Sequence, residues 1–267
     1  MLEGISLVGD KIFATYLKDV QSKIESYDLS GKYLADIKLP GIGICYGVSG
    51  KRNENDAYFS FTSFTTPTST YKLDINTLDY ELYFKPKTNF KSEDYVTEQV
   101  FYKSKDGTKV PMFISYKKGI KKDGSNPTLL YGYGGFDISY KPSFDVAKSV
   151  FMMNGGVYAV ANLRGGSEYG EAWHKAGMLH NKQNVFDDFA AAAEYLKKEK
   201  YTSTEKLAVH GRSNGGLLVG ATITQQPNIA KVALPMVGVL DMLRYHKFTI
   251  GWAWAVEYGS SEVKRTF

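Results

Sequence analysis

Over roughly the first 85 residues, apolar and aromatic positions fall in short runs that alternate with polar ones. KIFATYL begins at Lys11, KIESYDL at Lys23, KYLADIKL at Lys32, DAYFSFTSF at Asp56, STYKLDI at Ser69 and DYELYF at Asp79. Side chains on a strand point alternately to its two faces, so this pattern predicts half-buried strands. The Gly, Asn, Asp, Pro and Ser residues that bound each run predict tight antiparallel connections. Two pieces resemble each other: SYDLSGKYLADIKLP from Ser26 and TYKLDINTLDYELYFKP from Thr70, with Asp28 matching Asp74. Their offset of about 45 residues is close to the spacing of propeller blades, while an all-β sandwich stays open as the alternative. The stretch is too short to close a propeller by itself.

After FKPKTNFKSEDYV the pattern changes, which places a boundary near Pro86 and divides the chain into residues 1–86 and 87–267. EQVFYKS, VPMFISYKK, PTLLYGYGG, GVYAVANLRGG, KLAVHG and VALPMVG read as strands. Between and after them, SFDVAKSVFMMNG, NVFDDFAAAAEYLKKEK and NGGLLVGATITQQ read as helices. In the second of these, Val185, Phe189, Ala192, Ala193 and Leu196 recur at helical spacing, and lysines near the end complement the helix dipole. Strands alternating with helices imply a mostly parallel sheet covered on both faces.

Composition narrows the function classes. The chain has 267 residues, 43% hydrophobic and 23% charged, which is ordinary for a globular protein with a sizeable core. Its net charge of +5 is spread among Asp and Glu rather than gathered in a patch, which argues against nucleic-acid binding. The single cysteine, Cys45, excludes an intrachain disulfide and any multi-cysteine metal site, and reads as a small buried hydrophobe. No stretch reaches the ~18 apolar residues of a membrane helix, and the N-terminus lacks a basic start followed by an apolar run.

The chemistry concentrates in GRSNGG, Gly211–Gly216. GRSNG fits G-x-S-x-G, a pattern that is weak alone. Here an apolar strand, LAVH, runs into it and an apolar helix follows, as a nucleophile elbow requires. Gly211, Gly215 and Gly216 carry no Cβ, so strand and helix can close on the turn and Ser213 can take a strained conformation. This reading makes Ser213 a nucleophile. The backbone N–H of Asn214 then faces the developing oxyanion, with a second donor expected from the loop YGYGGF after PTLL, which offers a tyrosine hydroxyl.

LLYGYGGFDIS, VANLRGGSEYGEAWHKAGMLHNKQNVFDDFAAAAEYL, GRSNGGLLVGA and VGVLDMLRYHKFTIGWAWAVEYG together resemble the prolyl oligopeptidase family of serine peptidases. The likeness covers most of the chain from about Glu98. It implies an α/β-hydrolase fold, incomplete at its C-terminus, preceded by the last blades of a β-propeller that limits access to the active site. It makes Ser213 the nucleophile and gives the oxyanion donors as Asn214, through its N–H, and Tyr133, through its hydroxyl. Phe136, Val239, Trp254 and Tyr258 then match the pocket for proline. A proline ring is flat and apolar, so an indole and aliphatic walls suit it. The implied activity is hydrolysis of short proline-containing peptides, with no cofactor and no metal. A monomer is implied for the longer protein, in the cytoplasm, with the periplasm open.

A serine nucleophile needs a base and an orienting carboxylate, in the order Ser, Asp, His for this fold. After Ser213 only Asp241 and His246 qualify, and five residues of one segment do not supply groups from two separate strand ends. His210 reads as a strand or core residue, and His174 and His180 as surface or hydrogen-bonding residues of a loop. No HExxH is present. The resemblance places the triad Asp and His beyond Phe267, so the sequence reads as an internal piece. The rival readings are a catalytically incompetent truncated fragment, a peptide-binding module, or a related oligopeptidase of other specificity, against which GWAWAVEYG argues. A nucleotide site at GIGICYG lacks the helix such a loop must open.

Overall fold

The computed structural model describes residues 1–263. Its contacts divide the chain into two units, Met1–Thr97 with Lys141–Met153, and Glu98–Tyr140 with Asn154–Phe267.

In the first unit the alternating runs form eight strands: β1 (Leu2–Val8), β2 (Lys11–Lys18), β3 (Gln21–Asp28), β4 (Tyr33–Ile37), β5 (Ile44–Gly50), β6 (Asp56–Thr62), β7 (Ser69–Asp74) and β8 (Tyr80–Phe84). They make two four-stranded antiparallel meanders, ordered β1-β2-β3-β4 and β5-β6-β7-β8. Each is the form of a propeller blade. Their inward residues share one core, in which Phe13, Ile24 and Ile37 meet Cys45, Phe59, Phe61 and Leu73.

The sequence repeat is a structural one. Asp28 and Asp74 both end the third strand of their sheet, and both turn the chain with the same side-chain oxygen. Asp28 Oδ1 accepts from the N–H of Ser30 at 2.9 Å and of Lys32 at 3.0 Å. Asp74 Oδ1 accepts from the N–H of Asn76 at 2.7 Å and of Thr77 at 3.3 Å. A carboxylate that mimics a backbone acceptor is what makes Asp a turn residue. Two strands go beyond the reading of the pattern. β1 holds Gly4 and is exposed at Leu2, Ile5 and Leu7, so its apolar positions do not mark a buried face. β5 carries Gly47 at φ +91° and a register shift between Cys45 and Val48, which breaks the alternation.

The strands β9 (Tyr95–Lys103), β10 (Lys109–Lys117), β11 (Thr128–Gly132), β12 (Val157–Ala161), β13 (Leu207–Arg212) and β14 (Val232–Met236) form one sheet, ordered β14-β13-β11-β12-β10-β9. β12, β11, β13 and β14 pair in parallel, and β10 joins β12 antiparallel. The helices are α1 (Val146–Met153), α2 (Glu171–Lys175), α3 (Lys182–Lys198), α4 (Asn214–Gln225) and α5 (Ala255–Tyr258). α1 groups with the first unit, although it lies in sequence between β11 and β12. Val185, Phe189, Ala192, Ala193 and Leu196 make the buried stripe of α3, as their spacing predicts. At one edge of the sheet β14 exposes Val232, Leu234 and Met236. No helix among the described residues is long and apolar enough to cross a membrane.

Candidate active site

β13 ends at Arg212 and α4 begins at Asn214, so one residue makes the whole turn between them. That residue, Ser213, has φ 59° and ψ −116°, a conformation in the strained range for a residue with a Cβ. The neighbours that permit it are glycines. A Cβ on Gly211 would lie 2.0 Å from the carbonyl oxygen of Gly215, and one on Gly216 would lie 2.6 Å from Cα of Gly238. Ser213 N–H donates to Met236 O at 2.9 Å, and its carbonyl accepts from Gly216 N–H at 2.8 Å. The turn is therefore pinned by the last residue of β14 and by the first turn of α4. Ser213 is exposed and Asn214 is buried. Asn214 opens α4, where the first N–H groups lack intrahelical acceptors and the dipole favours negative charge.

The loop after β11 lies against this turn. Asn214 Nδ2 donates to Tyr133 O at 2.6 Å, and Asn214 Oδ1 accepts from the Tyr258 hydroxyl at 2.9 Å. One buried amide thus ties the elbow, the loop and the end of α5 together. Burial raises the pKa of the Tyr133 phenol and the Glu257 carboxylate adds to the effect, so its O–H remains a donor. The rings of Phe136 and Tyr258 meet edge to face with centroids 5.4 Å apart. Tyr245 packs on the same Tyr258 ring at 5.5 Å, and its hydroxyl donates to Gly259 O.

With the strand, turn and helix in place, the chain can be set beside known proteins. Residues 1–86 match the family model described as prolyl oligopeptidase, N-terminal beta-propeller domain, and residues 142–267 match that of the prolyl oligopeptidase family. The chain belongs to the prolyl oligopeptidase family. It is 57% identical over 258 residues to the prolyl endopeptidase of Elizabethkingia meningoseptica, covering 97% of this chain and 37% of that protein. It is 48% identical to the prolyl endopeptidase of Dictyostelium discoideum, covering 98% of this chain and 35% of that one. The apo structure of prolyl oligopeptidase B from Galerina marginata resembles it with a TM-score of 0.93 at 36% identity, covering 100% of this chain and 39% of that chain. The same enzyme has been solved bound to a 25mer macrocyclization substrate. The chain thus spans less than two fifths of the length of these relatives.

Within this chain, Ser213, Asn214, Tyr133, Phe136 and Tyr258 come together around the elbow. Trp254 ends a 3-10 turn, Gly251–Trp254, four residues before Tyr258, and is half-buried. Val239 lies in the loop after β14, also half-buried, and the ring contacts around Tyr258 leave both residues aside. Asp241 is engaged by Arg244 at 2.8 Å, and His246 Nε2 lies 3.3 Å from Glu262. His210, on β13, packs its ring on Tyr131 at 5.2 Å. A groove of about 720 Å³ lined by Tyr102, Lys105, Asp187, Glu194, Tyr195 and Lys198 includes neither the elbow nor the loop.

Three residues beside the loop have no motif to announce them. Lys182 Nζ donates to Gly134 O at 2.9 Å and to Glu257 Oε1 at 3.1 Å. Glu257 is 2% exposed, and its second oxygen lies 2.8 Å from His174 Nε2. Burial lowers the pKa of Lys182, and the charge of Glu257 opposes that effect. Read singly in the sequence, these are an ordinary lysine, glutamate and histidine on three separate segments.

Proposed function

We propose that the protein carrying this chain is a serine endopeptidase that hydrolyses short peptides on the C-terminal side of proline. Ser213 supports this reading most directly: an exposed hydroxyl on a one-residue turn at φ 59°, ahead of a twelve-residue helix. In this reading Ser213 Oγ attacks the carbonyl carbon of the proline residue. The oxyanion takes hydrogen bonds from Asn214 N–H and the Tyr133 hydroxyl. The serine proton passes to a base and then to the leaving amine, giving an acyl-enzyme that water hydrolyses. The base and its orienting carboxylate come from outside residues 1–267 in this proposal, since Asp241 and His246 are turned to Arg244 and Glu262. Phe136 and Tyr258 meet edge to face and offer an apolar aromatic wall to the proline ring; Val239 and Trp254 join that pocket in this reading on the family resemblance alone. The same reading makes the longer protein a monomer in the cytoplasm, acting without cofactor or metal.

The test is labelling by a fluorophosphonate, read by intact mass and peptide mapping, beside hydrolysis of a blocked proline peptide with a chromogenic leaving group. The longer polypeptide containing residues 1–267 labels once, at Ser213, and turns over proline substrates in preference to alanine ones. Ser213→Ala abolishes both. Lack of labelling and turnover in that folded polypeptide sinks the proposal. Because Asp241 is paired with Arg244 and His246 lies beside Glu262, a second reading is open for residues 1–267 alone: a formed elbow that binds peptide without turnover.

A further inference from the structure

The question left by the elbow is what fixes the loop that carries the Tyr133 hydroxyl. Asn214 holds the Tyr133 carbonyl, and further along the loop Ile138 N–H donates to Gly135 O at 3.1 Å and Asp137 N–H to Gly165 O at 3.1 Å, but neither of these bonds holds the carbonyl of Gly134. Gly135 marks the point where further restraints converge. A Cβ there would lie 2.6 Å from Asn214 Nδ2, 2.9 Å from Glu257 Oε1 and 2.9 Å from Lys182 Nζ. Those three groups come from the elbow, from α5 and from the start of α3. Asn214 bonds the loop at Tyr133 and also Tyr258, and the Lys182 ammonium adds a second tie one residue further on. It reaches Gly134 O at 2.9 Å and Glu257 Oε1 at 3.1 Å, and it lies 5.4 Å from the Tyr258 ring centroid.

Stability is a weak reason for this arrangement. The Lys182 and Glu257 side chains are only 13% and 2% exposed, and a buried ion pair commonly returns little more than its desolvation cost. Such a pair does fix geometry, because each charge must keep its partner. Glu257 has both oxygens engaged, by Lys182 and by His174, so the carboxylate cannot rotate to release the lysine cheaply. The lysine in turn holds the carbonyl immediately after Tyr133.

We propose that Lys182 is a positioning residue for the reaction at Ser213: bonded to Gly134 and backed by Glu257 and His174, it sets the Tyr133 hydroxyl against the developing oxyanion. This rests on the reading of Tyr133 as an oxyanion donor. Lys182 touches no reacting atom and acts through the loop.

The experiment uses the longer polypeptide that carries the chain. Lys182→Met alone leaves Glu257 charged and buried, and is prone to misfold, so the informative variant is Lys182→Met with Glu257→Gln, compared with Lys182→Arg. Two measurements are made: amide exchange across residues 131–137 against residues 207–211 of β13, and kcat and KM for the chromogenic proline peptide. In the double variant, exchange in the loop rises at least about tenfold while β13 is unchanged. Its kcat falls about 10- to 100-fold, less than full loss of an oxyanion donor, and KM changes less than about threefold. Lys182→Arg keeps the charge and recovers most of kcat. Unchanged exchange in the loop overturns the proposal, as does an unchanged kcat, or a rise in KM alone. Wild-type protein without turnover or Ser213 labelling overturns the underlying functional reading, and the catalytic role of Lys182 with it. A loop that still loosens in that case shows a fastening with no reaction to serve.

Discussion

Replacing Glu168 with glutamine should make the second unit more stable at alkaline pH and leave it nearly unchanged at acid pH. Glu168 is 7% exposed. Its Oε1 accepts from Tyr140 N–H at 3.2 Å and from Asn162 Nδ2 at 3.1 Å, while its Oε2 is buried without a partner among the described residues. Burial pushes its pKa from 4.5 up to about 7, against the pull of these hydrogen bonds, and the charge of Asp137 adds to the rise. Below pH 4.5 the carboxyl is protonated whether the chain is folded or not, and no penalty exists. Between 4.5 and about 7 the unfolded chain ionises first, so folding takes up a proton and stability falls by about 1.4 kcal/mol for each pH unit. Above pH 7 both states are ionised and the full cost, about 3 kcal/mol, is present. Glu168→Gln keeps the acceptor and removes the charge, so it gains up to that amount at pH 8 and little at pH 4.5. All three tryptophans, Trp173, Trp252 and Trp254, lie in the second unit, so their fluorescence during urea unfolding reads that unit. With a urea slope of about 2–3 kcal/mol per molar, the midpoint gap at pH 8 is about 1 M. A gap equal at both pH values, or a variant weaker than wild type at pH 8, would refute the reasoning.

Other perturbations separate the restraints at the site. Asn214→Ala leaves the Tyr133 carbonyl and the Tyr258 hydroxyl without their partner and should cost about 2–3 kcal/mol, Tyr258→Phe about 1, and the double variant should show coupling of about 1 kcal/mol in the same fluorescence assay. Strict additivity would show that the Asn214 to Tyr258 bond contributes nothing. Gly211→Ala forces its Cβ to 2.0 Å from Gly215 O, so it should lower the thermal midpoint and abolish labelling of Ser213, whereas Gly4→Ala, with nothing within 4 Å, should leave both unchanged. Asp188 and Asp106 bind the same guanidinium, that of Arg164, but Asp188 is fully buried and Asp106 is 46% exposed. Asp188→Asn should therefore cost about 3–5 kcal/mol and Asp106→Asn under about 1, and equal losses would contradict the weight given to burial.

The parts of the fold that were legible in the sequence are those set by neighbours along the chain. β2, β3, β6 and β7 alternate because one face of each meets the shared core, and Asp28 and Asp74 recur because each blade needs a carboxylate at the same turn. The helical stripe of α3 and the parallel order of β12, β11, β13 and β14 follow from period and alternation in the same way. β1 and β5 escaped because exposure in the one and a glycine bulge in the other remove the period-two signal. The grouping of α1 with the first unit leaves no mark in its sequence, since an amphipathic helix shows that it has a partner and not which one.

The site divides along the same line. Its turn is made of backbone: a strand end, one strained residue and glycines at fixed short spacing, all within Gly211–Gly216, so a local pattern can carry it. Its surroundings are made of side chains that meet from distant segments. Lys182 reaches Gly134 across 48 positions and Glu257 across 75, and His174 reaches Glu257 across 83. Nothing in the residue types separates these from the many solvated lysines and glutamates of the chain. What distinguishes them is burial, which a single sequence does not display for charged residues. A serine elbow is therefore readable early, while the side chains that gather on the Tyr133 loop become visible only when the loop, α3 and α5 are seen to converge on Gly135. If Ser213 is the nucleophile and Tyr133 an oxyanion donor, as proposed, changes inside Gly211–Gly216 should remove the nucleophile's geometry outright, whereas changes at Lys182, Glu257 or His174 should keep Ser213 reactive and degrade the alignment of Tyr133 by degrees.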